Sequence, residues 1–323
     1  MSKPDAAAAR WLPVPFAAGS AGSALPTLGL LAVTAVWGST FFLIRDLMVY
    51  LPAPDFLAVR FAVAAGALLP FGMRAVRRLG RTAIGHGLVL GLIYGVAQVL
   101  QTEGLGYVSA SVSGFITGMY VVFTPLLAAL LLRARLAFGA WIAVVLAVMG
   151  LALLTLRGFA FGPGEALTLA AAGLYAVHIV CLGAWSTQRD AFGLSIVQMG
   201  VIALVCAVSA LPGGIAVPRS TGDWLSLLYM ALAAGAFALI VQTWAQAHLS
   251  ATRAAVIMCA EPVWAALFAV LLGGERLTYA TMAGGGLILA AMYISELTAR
   301  GRSPADSADG EPDRDQDIDP VRT

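Results

Sequence analysis

The sequence predicts an all-α integral membrane protein in which ten transmembrane helices form two inverted five-helix repeats. Three observations lead there. First, 60% of the 323 residues are hydrophobic and only 11% are charged. A soluble domain usually carries about a quarter charged residues, and a soluble chain this apolar could not cover its own surface. Second, one long stretch occurs twice. Val99 to Leu136 (VLQTEGLGYVSASVSGFITGMYVVFTPLLAALLLRARL) recurs as Val241 to Leu277 (VQTWAQAHLSATRAAVIMCAEPVWAALFAVLLGGERL). A gap-free shift of 141 residues superposes Gln101-Thr102 on Gln242-Thr243, Ser109-Ala110 on Ser250-Ala251 and Arg135-Leu136 on Arg276-Leu277. Repetition on this scale defines the architecture. Third, lysines and arginines collect on alternate loops.

Residues 1–26 contain Lys3 and Arg10 and then a stretch with Pro, Gly and Ser. They do not resemble a cleaved leader, because the first long apolar run begins late and many more follow. The segment is expected to be flexible. Ten apolar runs then reach the roughly 20 residues a helix needs to cross a bilayer. They are 27–47, 56–72, 84–104, 109–132, 136–156, 164–185, 193–212, 223–247, 252–273 and 278–297. In the fourth, Ala110 to Leu132 holds no ionisable side chain except Tyr120. Helices are expected because an unpaired strand edge is not tolerated in lipid, and barrel-type alternation is absent. Short connections make successive helices antiparallel. The first repeat covers 27–156 and the second 164–297. Residues 298–323, with Asp306, Asp309, Glu311, Asp313, Asp315, Asp317 and Asp319, form an acidic tail expected to be disordered.

Placing the N-terminus in the cytoplasm leaves twelve arginines and lysines on inner segments, with Arg74, Arg77, Arg78 and Arg81 in one loop. The outer segments hold four: Arg45, Arg157, Arg219 and Arg276. This asymmetry predicts a multi-pass plasma-membrane protein with both termini cytoplasmic. Each half has five crossings, so the halves insert with opposite orientation, related by a pseudo-two-fold axis in the membrane plane. Weaker matches agree: Trp37-Gly38 parallels Tyr175-Ala176, and Val59-Arg60-Phe61 parallels Val197-Gln198-Met199.

The stretch QTWAQAHLSATRAAVIMCAEPVWAALFAVLLGGERLT closely resembles the second repeat of EamA-type carriers of the drug/metabolite transporter superfamily. VLQTEGLGYVSASVSGFITGMYVVFTPLLAALLL resembles the first repeat, and LGLLAVTAVWGSTFFLIRDLM the opening helix. The resemblance covers about residues 28–297. It implies a ten-helix secondary carrier with a central cavity between two EamA domains. It further implies export of small organic solutes: amino acids, other metabolites or toxic compounds.

One departure within the repeat stands out. The shift places Pro262 opposite Val121, while the first copy carries Pro125, four residues on. Four residues are about one helical turn. A proline frees the carbonyl one turn earlier and bends its helix. Bends at Pro125 and Pro262 are therefore expected at unequal depths.

Candidate site residues are polar or aromatic groups deep in apolar runs. Glu261 lies eight residues past Arg253, about 12 Å into the membrane at 1.5 Å per residue. A carboxylate there must face a cavity, find a partner or be protonated. It reads either as a proton-coupling or solute-contacting acid, or as a protonated side chain bonded to backbone freed by Pro262. Trp37, Tyr120 and Tyr175 fall at similar midplane depth, as cavity lining or core stacking residues. Gln98 with Gln101, and Gln242 with Gln246, share helix faces at i,i+3 and i,i+4; they suit solute contacts or interhelical bonds. His178 is a further candidate, for the solute or for a neighbouring helix. Arg60 is expected to snorkel to the outer surface, with Asp55 or Glu103 as alternative partners. Gly87, Gly91 and Gly95, and Gly284-Gly285-Gly286, offer small faces for close helix contact.

Other function classes find little support. No G-x-x-x-x-G-K loop is present for an ATP-driven pump, and no His-Glu-x-x-His or nucleophile-base pairing for a membrane-embedded enzyme. The net charge of +2 is spread without a basic patch, so no nucleic-acid partner is expected. Cys181, Cys206 and Cys259 have neither disulfide nor metal spacing. No metal or cofactor is expected, and the partners are a small-molecule solute and membrane lipid. The leading expectation is a carrier working by alternating access around a midplane cavity. A membrane-embedded enzyme and a channel-like facilitator are the alternatives.

Overall fold

The structure is a computed structural model that describes residues 24–131, 138–155, 162–211, 214–249 and 251–300. The start of the N-terminal segment, the acidic run from Asp306, and Arg133, Arg135 and Arg157 lie outside the described residues. Every regular element among the described residues is helical. In order they are α1 (Ala24–Leu47), α2 (Ala53–Arg77), α3 (Arg81–Leu105), α4 (Ala110–Thr117), α5 (Tyr120–Leu131), α6 (Phe138–Thr155), α7 (Pro163–Trp185) and α8 (Ala191–Ala210). There follow α9 (Thr221–Ala231), a π-helical segment (Leu232–Phe237), α10 (Ala238–Gln246), α11 (Ala251–Met258), α12 (Ala260–Leu271) and α13 (Tyr279–Arg300).

Local chemistry sets several starts. Pro52 and Pro163 stand where a missing N–H costs nothing. The Ser109 hydroxyl accepts from the Val112 amide to open α4. Ser220 and Asp223 close a reciprocal capping box at α9.

Among the described residues, eight stretches are long and apolar enough to cross a membrane. Three of them run through an interruption: Ala110–Leu127, Thr221–Gln246 and Arg253–Leu271. In α6 and α13 the apolar part is shorter, Trp141–Leu153 and Tyr279–Ser295. These two helices pack along each other. Elsewhere α2 packs on α8, α3 on α7 and α8, α1 on α10 and α12, α4 on α12, and α5 on α7. Large apolar side chains such as Leu204, Val208 and Leu271 face outward, while Gln98, Gln198, Gln242 and Glu261 are buried. Polar groups inside and apolar groups outside suit lipid as the solvent.

Small residues set how closely the helices approach. A Cβ at Gly87, Gly91 or Gly95 would collide with Val197, Val201 or Val205 on α8, respectively. A Cβ at Gly38 would lie 2.5 Å from Trp264 Cβ on α12, and one at Gly150 would lie 2.6 Å from the Gly284 carbonyl. With no hydrophobic force between helices in lipid, such backbone proximity is what gives them dispersion contact.

Two interruptions lie near the prolines expected to bend their helices. One break falls at Gly118-Met119 between α4 and α5, the other at Cys259 between α11 and α12. Gly118 and Cys259 correspond under the 141-residue shift, so the breaks share one register despite the offset prolines. Pro125 sits inside α5, past its break, whereas Pro262 stands in the first turn of α12. In the first copy the break lies against the second: a Cβ at Gly118 would lie 3.0 Å from Pro262 Cγ.

Gly38→Leu should lower the thermal midpoint of the detergent-purified protein, losing about 1–3 kcal/mol through overpacking. Gly66→Leu, where nothing lies within 4 Å, should shift stability by no more than about 0.5 kcal/mol.

Candidate functional site

A narrow cavity opens at the centre of the bundle, where α1, α2, α3, α7 and α10 surround the two broken helices. It leaves about 40 Å³ open to the centre of a water-sized sphere. One water needs about 10–15 Å³ by that measure, so this conformation holds a few waters or a compact polar group. The lining includes Trp37, Gln98, Gln101, Tyr120, Tyr175, His178, Gln242 and Glu261. Of the glutamines expected there, Gln246 is absent from the lining: its Nε2 donates to the Ile179 carbonyl at 3.0 Å, and its Oε1 accepts from Gln242.

Tyr120 and Glu261 meet across the cavity. The Tyr120 hydroxyl lies 3.0 Å from Glu261 Oε2 and 3.0 Å from the Met258 carbonyl oxygen. Pro262 has no N–H to bond that carbonyl, so Tyr120, rather than Glu261, satisfies the backbone that the proline frees. The hydroxyl has one proton and two acceptors in reach. When Glu261 is protonated it donates to the tyrosine oxygen, and the tyrosine donates to Met258. When Glu261 is charged it accepts from the tyrosine hydroxyl, and the Met258 carbonyl loses that hydrogen bond. Residues 120 and 261 are separated by 141 positions, the repeat shift itself, so the two copies touch at corresponding positions.

A second hydrogen-bond chain ties three helices together. Gln98 Nε2 donates to the Tyr175 hydroxyl at 2.8 Å. That hydroxyl donates to Gln101 Oε1 at 2.7 Å, and Gln101 Nε2 donates to Thr117 Oγ1 at 3.0 Å. His178 Nε2 pairs with Gln198 Oε1 at 2.9 Å, which leaves His178 Nδ1 buried without a partner. Gln242 Oε1 is likewise buried and unbonded. Buried polar atoms are normally satisfied, so both offer hydrogen bonds to whatever fills the cavity.

The π-helical segment and the turn before it supply two anchors that the sequence did not reveal. A wider turn redirects carbonyls. The Ala234 carbonyl accepts from Trp37 Nε1 at 2.9 Å. The Met230 carbonyl, just before the segment, accepts from Arg60 Nε at 3.2 Å. Arg60 therefore does not snorkel. It is 3% exposed, lines the cavity, and lies over the rings of Phe61 and Phe56 at 5.0 and 5.8 Å. Helix α2 starts at Ala53 rather than 56, which puts Arg60 nearly a turn deeper than its reading from the sequence. Asp55 is not its partner; it accepts instead from the Ala216 amide. Tyr94, four residues before Gln98 on the same helix face, was also missed and lines the cavity.

One end of the bundle is closed by Glu275. Its carboxylate pairs with Arg45 at the end of α1 and accepts from the amides of Ala110 and Ser111, at 2.7 and 3.2 Å, at the start of α4. A carboxylate suits both the guanidinium and the positive end of a helix. Arg45 also donates to the Gly273 carbonyl.

Comparison with known proteins agrees with this arrangement. The EamA-like transporter family matches residues 25–156 and again 162–297. An "Uncharacterized transporter" of Archaeoglobus fulgidus is 31% identical over 84% of this chain and 85% of its own length. A second from the same organism is 26% identical over 82% and 96%. A "Probable terminal-alkyne amino-acid exporter" of Streptantibioticus cattleyicolor is 29% identical, over 32% of this chain and 34% of its own. One crystal structure shares the fold with a TM-score of 0.62, covering 87% of this chain and 99% of its own at 20% identity.

Glu275→Ala should destabilise the protein by about 2 kcal/mol, because it removes charge-assisted bonds to a guanidinium and two helix-terminal amides. Unfolding midpoints in denaturant should show the loss, and a double-mutant cycle with Arg45→Ala should show that the two changes are not additive.

Proposed function

This chain belongs to the EamA-like transporter family, and on that premise we propose that it is a secondary carrier exporting small organic solutes by alternating access. Ten helices cross the plasma membrane in this reading, with α6 and α13 as the fifth and tenth crossings and both termini cytoplasmic. The halves are inverted copies. Their packing supports this: exchanging the halves turns the α3–α7 contact into α1–α10, the α1–α12 contact into α5–α7 and the α4–α12 contact into α5–α11, while α2–α8 and α6–α13 map onto themselves. Rocking of one half against the other exposes the shared cavity to each side in turn.

The observation that carries the proposal is the contact between Tyr120 and Glu261. It joins corresponding positions of the two copies inside the cavity, which is where an axis relating them would pass. We assign solute contact to Trp37, Gln98, Gln101, Tyr120, Tyr175, His178 and Gln242, with Gln246 positioning Gln242. Glu261 carries the coupling proton, and the bends at Pro125 and Pro262 flank the moving breaks. Export, and amino acids among the candidate solutes, draw support from the relative named as an amino-acid exporter. The open side chains of Gln242 and His178 favour a carrier of polar solutes over a channel-like facilitator, whose solutes pass without a fitted site.

Reconstituted vesicles loaded with unlabelled amino acids and given the labelled ones outside should show counterflow. Wild-type flux should depend on pH and on a pH gradient. Glu261→Gln should keep exchange but respond to neither. A Glu261→Gln variant with wild-type pH dependence would remove proton coupling at this residue, and absence of counterflow for every small solute offered would remove the carrier.

A further inference from the structure

Arg60 is a cation that the cavity leaves half used. Its Nε donates to the Met230 carbonyl, and the faces of Phe56 and Phe61 lie beside its plane. No other hydrogen bond involves it, and no carboxylate among the described residues lies within ion-pair distance. Nη1 and Nη2, with four N–H donors between them, therefore have no acceptor among the described residues. A guanidinium stays protonated in any protein environment. A charge so deeply placed in a membrane protein needs a partner or a water-filled cavity, and Arg60 lines the cavity.

We propose that Arg60 is the anion-binding group of the cavity and holds the solute by a carboxylate. The two free nitrogens form a planar fork, and a carboxylate matches that fork with two parallel hydrogen bonds. The tether to Met230 and the flanking rings fix the fork before the solute arrives, so little side-chain freedom is lost on binding. A solute carboxylate also neutralises the guanidinium within the membrane. Gln242 Oε1, unbonded in the same cavity, then accepts from an N–H or O–H elsewhere on the solute. The specificity follows from charge: amides and amines of the same shape leave the guanidinium unpaired and are rejected. Binding of solute is part of the carrier reading, but it can be measured without transport.

The test is equilibrium binding to the purified full-length chain in detergent, followed by intrinsic tryptophan fluorescence and thermal shift. The probes are amino acids, the matching amino-acid amides, the decarboxylated amines, and the matching sulfonates. Wild type should bind one or more amino acids, and each amide and amine about tenfold or more weakly. Arg60→Lys keeps the charge but loses the fork; it should weaken carboxylate binding by a similar factor and narrow the gap between acid and amide. Equal binding of acids and amides by wild type, unchanged acid binding in Arg60→Lys, or binding of none of the acids would each overturn the proposal. Preference for sulfonates over carboxylates would overturn the assignment to a carboxylate. The wild-type comparison needs no variant, so it stands even if Arg60→Lys folds poorly. Counterflow without acid-over-amide selectivity would leave the carrier intact and remove only the role of Arg60.

Discussion

At the centre of the bundle a single tyrosine proton faces two acceptors, the carbonyl of Met258 and the carboxylate of Glu261. In water such a shortage is trivial, because solvent fills the open valence. Inside a membrane, each unbonded group costs several kcal/mol unless the protein or a wetted cavity satisfies it. The protonation state of one carboxylate is thus linked to whether a backbone carbonyl beside a helix break receives the tyrosine proton. Tyr120 comes from one copy of the repeat, and Met258 and Glu261 from the other. The hydrogen bond that the proton governs is therefore a contact between the halves.

The same constraint explains where regular helix is given up. The interruptions at Gly118-Met119 and at Cys259, and the π-helical turn at Leu232–Phe237, all border the cavity or hold its lining. Irregular backbone at this depth is tolerated where it lines a cavity or is buried in protein. Two of these irregularities have a polar use. The proline-freed Met258 carbonyl receives Tyr120, and the carbonyls around the π turn receive Trp37 and Arg60. Away from the centre, glycines and alanines allow close backbone packing with no polar group to satisfy, as at Gly38 against Ala265 and Gly114 against Ala265.

Much of this was legible in the sequence because lipid simplifies the code. Long apolar runs can only be helices, and a polar residue within one stands out. Gln98, Gln101, Tyr120, Tyr175, His178, Gln242 and Glu261 were singled out that way, and they come together in space. Gln246 carries the same signal but turns to a carbonyl on α7, since a glutamine amide serves helix packing as well as it serves a solute. Arg60 was misjudged because its depth was counted from a helix start set three residues late. The π turn left no trace beyond a run of small residues around Gly235. The break at Gly118-Met119 had no local proline to announce it; Gly118 lies against Pro262 of the other copy, a neighbour the local sequence does not name.

The proposed function rests on a two-fold relation between oppositely inserted halves, from which the rocking motion would follow. It is tested most directly by sidedness at corresponding connections. Single cysteines at Arg78, between α2 and α3, and at Arg219, before α9, would be placed in a chain lacking Cys181, Cys206 and Cys259. Each would be labelled in intact cells with a membrane-impermeant maleimide, before and after permeabilisation. Inverted halves predict opposite faces: the cysteine at 219 reacts from outside, and that at 78 only after permeabilisation. Reaction of both from the same face would contradict the account.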